Sequence, residues 1–188
     1  GAQRIDLLTL NAHKSHGPKG VGALHVHRDI NLVPLTHGGG HELGRRSGTL
    51  NVAGIVGLGA CVEHYPKNNA EIYREFRAEA LDTLRSSFPN LRLHGPIDAP
   101  TGHVLNIGIP GVSGKELAKA LDAMGIRVSA SSACHATKLE PSPVLTAMGL
   151  TDEQADEALR ISFGRFTRRS HIVKLNRALV QVVERMAA

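Results

Sequence analysis

Two side chains in this sequence stand where covalent chemistry is possible, Lys14 and Cys134. Lys14 closes the tripeptide Ala12-His13-Lys14, where a strand-like run gives way to a Gly/Pro loop. In α/β proteins such sheet-edge positions present ligand-binding groups. The amine can condense there with an aldehyde to form a Schiff base, or it can be a solvated loop charge, as its neighbour Lys19 would be. Cys134 follows Ser131-Ser132-Ala133, the polar, small-residue surroundings expected of a reacting thiol. Attack by sulfur needs the thiolate, a minority form at neutral pH for a thiol of ordinary pKa ~8.5, so a nearby base or positive charge would help. His135 is the adjacent candidate, although sequence neighbours often point apart and a solvent-exposed loop histidine is the plainer reading. Cys61 sits in an apolar, helix-like run and reads as a small buried hydrophobe. Two cysteines in such unlike settings do not form a disulfide framework.

A third feature is Gly38-Gly39-Gly40-His41-Glu42, followed by Gly44, Arg46, Ser47, Gly48 and Thr49. Glycines let backbone amides approach an anion closely, and a helix N-terminus behind them adds a favourable dipole. A tight turn leading to a helix cap explains the same residues equally well. The eleven histidines include His25 with His27 and His37 with His41, but a metal site needs three or four converging ligands, and no closed set emerges from the spacing.

The elements that must position these groups follow from periodicity. Asp6 to Asn11 reads as a buried strand and Val21 to His27 as its return, with the polar chemistry in the loop between them. Val52 to Val62 has helical length, with Thr49 or Asn51 as N-cap. A second helix is predicted from about Ala70 to Ser86, with Ile72, Phe76, Ala80 and Leu84 on one face. Beyond Pro89 the pattern shifts to short strands over Leu91 to His94, His103 to Ile109 and Arg127 to Ser129, with a helix from about Ser113 to Met124. A loop over Ala130 to Glu140 leads to a short helix at Pro141, another helix near Asp152, and a strand over Ala158 to Phe163. The chain closes with an amphipathic helix whose stripe is Ile172, Leu175, Leu179, Val182 and Met186.

The 188 residues, 41% hydrophobic and 21% charged, suffice for one core plus a smaller lobe. No apolar run approaches the ~20 residues of a membrane-spanning helix. The first residues, Gly1-Ala2-Gln3-Arg4-Ile5-Asp6, lack the pattern of a signal peptide, so a cytoplasmic location is expected. The net charge of +5 would suit an anionic partner, but the basic residues are scattered and aromatics make up 3%, so no nucleic-acid partner is expected.

Taken in order, four motifs resemble those of one family. Asn11-Ala12-His13-Lys14-Ser15-His16-Gly17-Pro18-Lys19-Gly20 is similar to the lysine motif of the cysteine desulfurases, a group within the fold type I pyridoxal-phosphate enzymes. The glycine-rich segment ending at Thr49 matches a second motif, and Ser131 to Cys134 with Leu139-Glu140-Pro141-Ser142 resembles the catalytic loop of the iron-sulfur and nitrogenase assembly enzymes. Leu159 to Thr167 (LRISFGRFT) resembles a strand whose first arginine binds the substrate carboxylate.

The resemblance implies that Lys14 holds pyridoxal 5'-phosphate covalently. Asn11, where the family usually has serine, and His13 would contact the cofactor phosphate, and Thr49 would reach the phosphate of the other subunit, which implies a homodimer. Cys134 would take sulfur from L-cysteine as a persulfide, releasing L-alanine, and pass it to a sulfur acceptor or iron-sulfur scaffold protein. Arg160 would anchor the substrate carboxylate, as a planar guanidinium does in a two-pronged grip, and Arg165 is assigned to structure. Selenocysteine lyases can carry histidine at the position of His135, which keeps that activity as an alternative.

The implied fold is α/β. Residues 1–62 would be the C-terminal part of the cofactor-binding large domain, with its mixed sheet. Residues 63–188 would be a connecting helix and a small α+β C-terminal domain. A full family member has an N-terminal region before the lysine that supplies a ring-stacking histidine, an aspartate for the pyridine nitrogen and a further phosphate loop. The chain is thus expected to depend on such a segment, or else to be an inactive truncated or split chain that docks with a partner.

Overall fold

The computed structural model describes residues 4–65, 68–130 and 142–187. It divides into two compact units, residues 1–66 and 67–188.

In the first unit, β1 (Leu7–Asn11) pairs antiparallel with β2 (Gly22–Val26), with Leu7 opposite Val26 and Asn11 opposite Gly22. The predicted hairpin is present, but β1 is not the buried strand expected. Every residue of β1 is exposed, because among the described residues only β2 pairs with it and a two-stranded ribbon has no second layer to bury either face. A 3-10 turn over Ala12–Ser15 follows β1. It is fastened by Ala12 N–H donating to Val21 O at 3.2 Å and Gly17 N–H donating to Ala12 O at 2.9 Å. Helix α1 (Val52–Glu63) starts at Asn51, whose Oδ1 accepts from Gly54 N at 3.1 Å, so Asn51 rather than Thr49 is the cap. Cys61 of this helix lies against the turn, and a Cβ on Gly17 would come within 2.8 Å of its Sγ. It is half-buried rather than buried, because α1 meets the turn on one side and exposes Val52, Ile55, Val56 and Val62.

The second unit is built on an antiparallel sheet in the order β3 (Arg92–Leu93), β4 (Val104–Gly108), β5 (Ala158–Ser162). Strand alternation sends Leu105, Ile107, Leu159 and Ile161 to one face. There they join a core with residues of α2 (Asn69–Ser87), α3 (Gly114–Ala123) and α6 (Arg169–Ala187), including Leu84, Leu117, Leu121 and Leu179. Each such side chain contributes about 1.5–3 kcal/mol on burial. Of the stripe predicted for α6, Ile172, Leu175, Leu179 and Val182 are buried, whereas Met186 is exposed, one turn beyond the last core contact. The buried Arg77 is satisfied by carbonyls, donating to Val104 O at 3.2 Å, to Pro96 O at 2.6 Å and to Ile97 O.

On the opposite face, α4 (Pro143–Ala147) and α5 (Asp152–Asp156) close a smaller cluster of Leu145, Ala155 and Ala158. α4 begins at Pro143, and Pro141, its predicted start, lies outside the described residues. α5 carries a reciprocal capping box between Thr151 and Gln154. The strand expected over Arg127 to Ser129 reduces to a single bridge between Ser129 and Arg160. No helix among the described residues is long and apolar enough to cross a membrane.

Candidate active site

The first unit gathers the lysine motif on one short turn. Asn11 ends β1 opposite Gly22, and a Cβ on Gly22 would sit 3.3 Å from its Oδ1, so the carboxamide leans over the neighbouring strand. Ala12 is fully buried and anchors the turn, while His13 and Lys14 are exposed on it. The register of β1 and β2 together with the buried alanine therefore fixes where the amine emerges. His16 closes the turn in a left-handed conformation, φ 63°. In the glycine-rich segment a second 3-10 turn, His41–Gly44, puts Glu42 (φ 48°) and Leu43 (φ 58°) in the left-handed region. Such geometry costs non-glycine residues about 1–3 kcal/mol each and tends to cluster at functional sites. Thr49 is exposed, two residues before the α1 cap.

The second unit holds Arg160 in the middle of β5. Its backbone is clamped on one side by Ser129, with Ser129 N–H donating to Arg160 O at 3.1 Å and Arg160 N–H donating to Ser129 O at 2.6 Å. On the other side its Cα partner is Asn106 of β4. Asn106 in turn meets His94, whose N–H donates to Asn106 O at 2.9 Å and whose Nδ1 lies 3.0 Å from Asn106 Oδ1. His94, Asn106, Arg160 and Ser129 thus form one polar row across the sheet, on the face opposite the main core. Cys134 lies outside the described residues, as does Ser131, so the row ends one residue short of the segment that carries the thiol.

Arginines on this sheet differ in their partners. Arg92 is paired with the buried Glu157 at 2.5 Å, and Glu157 also accepts from Gly111 N at 2.8 Å. Arg160 is half-buried, and among the described residues no side chain or carbonyl accepts a hydrogen bond from its guanidinium. A guanidinium held in this way can receive a carboxylate. Arg165 is exposed and lies 5.9 Å from the centroid of the Phe166 ring. Among the described residues, no three His, Cys, Asp or Glu side chains converge as metal ligands.

Sequence reasoning did not single out His94, Asn106 or Glu157. The signal for Asn106 was there: in Val104-Leu105-Asn106-Ile107 it is out of phase with the two core residues, and so faces away from the core.

Residues 2–175 match the family model of the class-V aminotransferases. The chain belongs to that family. Class-V aminotransferase proteins work with pyridoxal phosphate. A cysteine desulfurase IscS of Vibrio cholerae serotype O1 is 40% identical over 192 residues, covering 98% of this chain and 47% of the relative. Among solved structures, a NifS-like protein from Rickettsia africae superposes with a TM-score of 0.82 at 27% identity, covering 96% of this chain and 48% of that one. SspA in complex with cysteine superposes with a TM-score of 0.61 at 36% identity, covering 87% of this chain and 45% of that one. The chain thus spans about half the length of the curated relatives it matches. Its fold is the corresponding α/β part of these NifS-like proteins, carried among the described residues by two small antiparallel sheets.

Proposed function

We propose that this chain is the C-terminal part of a pyridoxal-phosphate-dependent cysteine desulfurase, which converts L-cysteine to L-alanine and leaves the sulfur on Cys134. The observation that carries the reading is the placement of Arg160, a half-buried guanidinium without a partner among the described residues and bonded through its backbone to Ser129, five positions before Cys134. A carboxylate anchor is thereby fastened near the start of the thiol-bearing segment. The relatives named cysteine desulfurases and the cysteine-bound SspA support the substrate class.

The residues of the first unit fit pyridoxal phosphate chemically. Lys14 offers an exposed amine on a turn fixed by two backbone hydrogen bonds, and Asn11, His13 and Thr49 are polar groups suited to a phosphate. Bound there, the cofactor would supply an electron sink for cleavage at the substrate β-carbon. Lys14 would hold it and move protons at the substrate α-carbon. Arg160 would orient the amino acid, and the Cys134 thiolate would attack its sulfur. The exposed Leu7, Leu8, Leu10 and Leu24 of the β1–β2 ribbon suit a strand layer supplied by the N-terminal region that the family resemblance implies before the lysine. On the same reading residues 1–62 end the cofactor domain, 63–188 form the small domain, and Thr49 serves the second subunit of a homodimer. A sulfur acceptor or iron-sulfur scaffold protein would then collect the sulfur.

The test is to join the chain to such an N-terminal half, load the cofactor, add L-cysteine and map cysteine persulfide by mass spectrometry. Persulfide on Cys134, abolished by Cys134→Ala, is expected. Sulfide release at the parent rate from Cys134→Ala would refute the assignment.

A further inference from the structure

We propose that the Asn106 carboxamide is a second hydrogen-bond donor beside Arg160 for the carboxylate of the amino-acid substrate, with His94 as the residue that fixes its orientation. This rests on the reading of Arg160 as the carboxylate anchor and extends that subsite by one residue.

Backbone directions place the two side chains together. In an antiparallel strand the N–H and C=O of one residue point to the same side. Asn106 O accepts from His94 N, and Arg160 exchanges both its bonds with Ser129, so the backbone groups of Asn106 and Arg160 point away from each other. They are therefore a non-hydrogen-bonded cross-strand pair, the kind with Cα atoms only about 4.5 Å apart and side chains closest. Both project from the face that carries no main-core residue, and both are half-buried.

The amide has a defined orientation. Its Oδ1 lies 3.0 Å from His94 Nδ1, and because an amide oxygen can only accept, the bond is made with a proton on Nδ1. The Nδ2 hydrogens are then turned away from His94, and among the described residues they donate to no acceptor. Gly108 makes room for the imidazole, since a Cβ there would lie 3.0 Å from His94 Cε1 and 3.2 Å from Nε2. The ring is buried, and among the described residues its Nε2 has no hydrogen-bond partner. Burying an imidazole with one unmet nitrogen costs free energy, and the bond to Asn106 is what the ring obtains in that place. The result is two adjacent donor groups, one charged and one neutral, each without an acceptor among the described residues. A carboxylate has two oxygens and lone pairs for both.

The experiment compares parent, Asn106→Ala, Asn106→Asp and Arg160→Lys forms of the chain joined to the N-terminal half and loaded with cofactor. Steady-state desulfuration of L-cysteine, with dithiothreitol present to reduce the Cys134 persulfide after each turnover, gives KM and kcat, and competition by L-alanine and by ethylamine separates carboxylate recognition from amine recognition. Loss of one hydrogen bond to a charged ligand predicts a rise of about ten-fold in KM and in the L-alanine inhibition constant for Asn106→Ala, with kcat and the ethylamine constant unchanged. Asn106→Asp should raise KM further, since its carboxylate competes for Arg160. If Arg160→Lys raises KM while both Asn106 variants leave it at the parent value, this inference fails and the anchor stands. If Arg160→Lys also leaves KM unchanged, the anchor itself fails. Equal changes for L-alanine and ethylamine, or loss of folded protein in both Asn106 variants, would make Asn106 a structural residue and overturn the proposal.

Discussion

Glu157 offers a quantitative test of how the sheet holds its polar face. Its carboxylate is 4% exposed and accepts from Arg92 Nη1 at 2.5 Å and from Gly111 N at 2.8 Å, joining β3, the turn after β4 and the start of β5. Glu157→Gln keeps the shape and leaves an oxygen for Gly111, but turns an amide N–H₂ toward the guanidinium. A hydrogen bond to a charged group contributes about 1.5–3 kcal/mol, and removing one member of a fully buried pair costs about 3–5 kcal/mol. The Arg92 side chain is 39% exposed, so water recovers part of its solvation and the larger figure does not apply. A loss of about 2 kcal/mol is therefore expected, which lowers the melting temperature of a unit of this size by roughly 5–10 °C. The far-UV circular dichroism of the two long helices, α2 and α6, reports the transition. A double-mutant cycle with Arg92→Met should return a coupling of about 1–2 kcal/mol. A Glu157→Gln melt within about 1 °C of the parent, or a coupling near zero, would refute the claim that this pair ties the sheet together.

Two further outcomes follow. Borohydride reduction of the cofactor-loaded protein and peptide mapping should place the pyridoxyl group on Lys14, because the turn after β1 exposes that amine, and finding it on Lys19 would move the attachment point. Gly102→Ala should destabilise the second unit by more than about 2 kcal/mol in urea titration, since Gly102 has φ +66° and a Cβ would lie 2.4 Å from the backbone N of Arg74; an unchanged midpoint would show that α2 shifts freely there.

What the sequence revealed depended on the range of the interaction. The hairpin around Lys14, the α2 face of Ile72, Phe76, Ala80 and Leu84 and most of the α6 stripe are local periodicities, and each appears in the structure as an element or a core face. The apparent burial of β1 was misread because an apolar strand signals what it needs to cover, not whether the chain at hand covers it. Met186 continues the period of the α6 stripe, but helical spacing carries no information on where the opposing layer ends. The pairing of Arg92 with Glu157, 65 positions apart, and the row from His94 through Asn106 and Arg160 to Ser129 depend on strand register, which a single sequence does not specify. Arg160 was found through its motif, whereas Asn106 beside it belongs to no quoted motif and emerged only once β4 and β5 were paired.

The most direct test of the function is turnover by parts. The purified 188-residue chain with pyridoxal phosphate, L-cysteine and dithiothreitol, which reduces any persulfide to thiol and sulfide, should release no sulfide above the cofactor's own background. Adding a separately produced N-terminal half from a related desulfurase should restore release that Cys134→Ala abolishes. Contradiction would come from complemented protein that binds the cofactor yet releases no sulfide, or from release that persists at the same rate without Cys134.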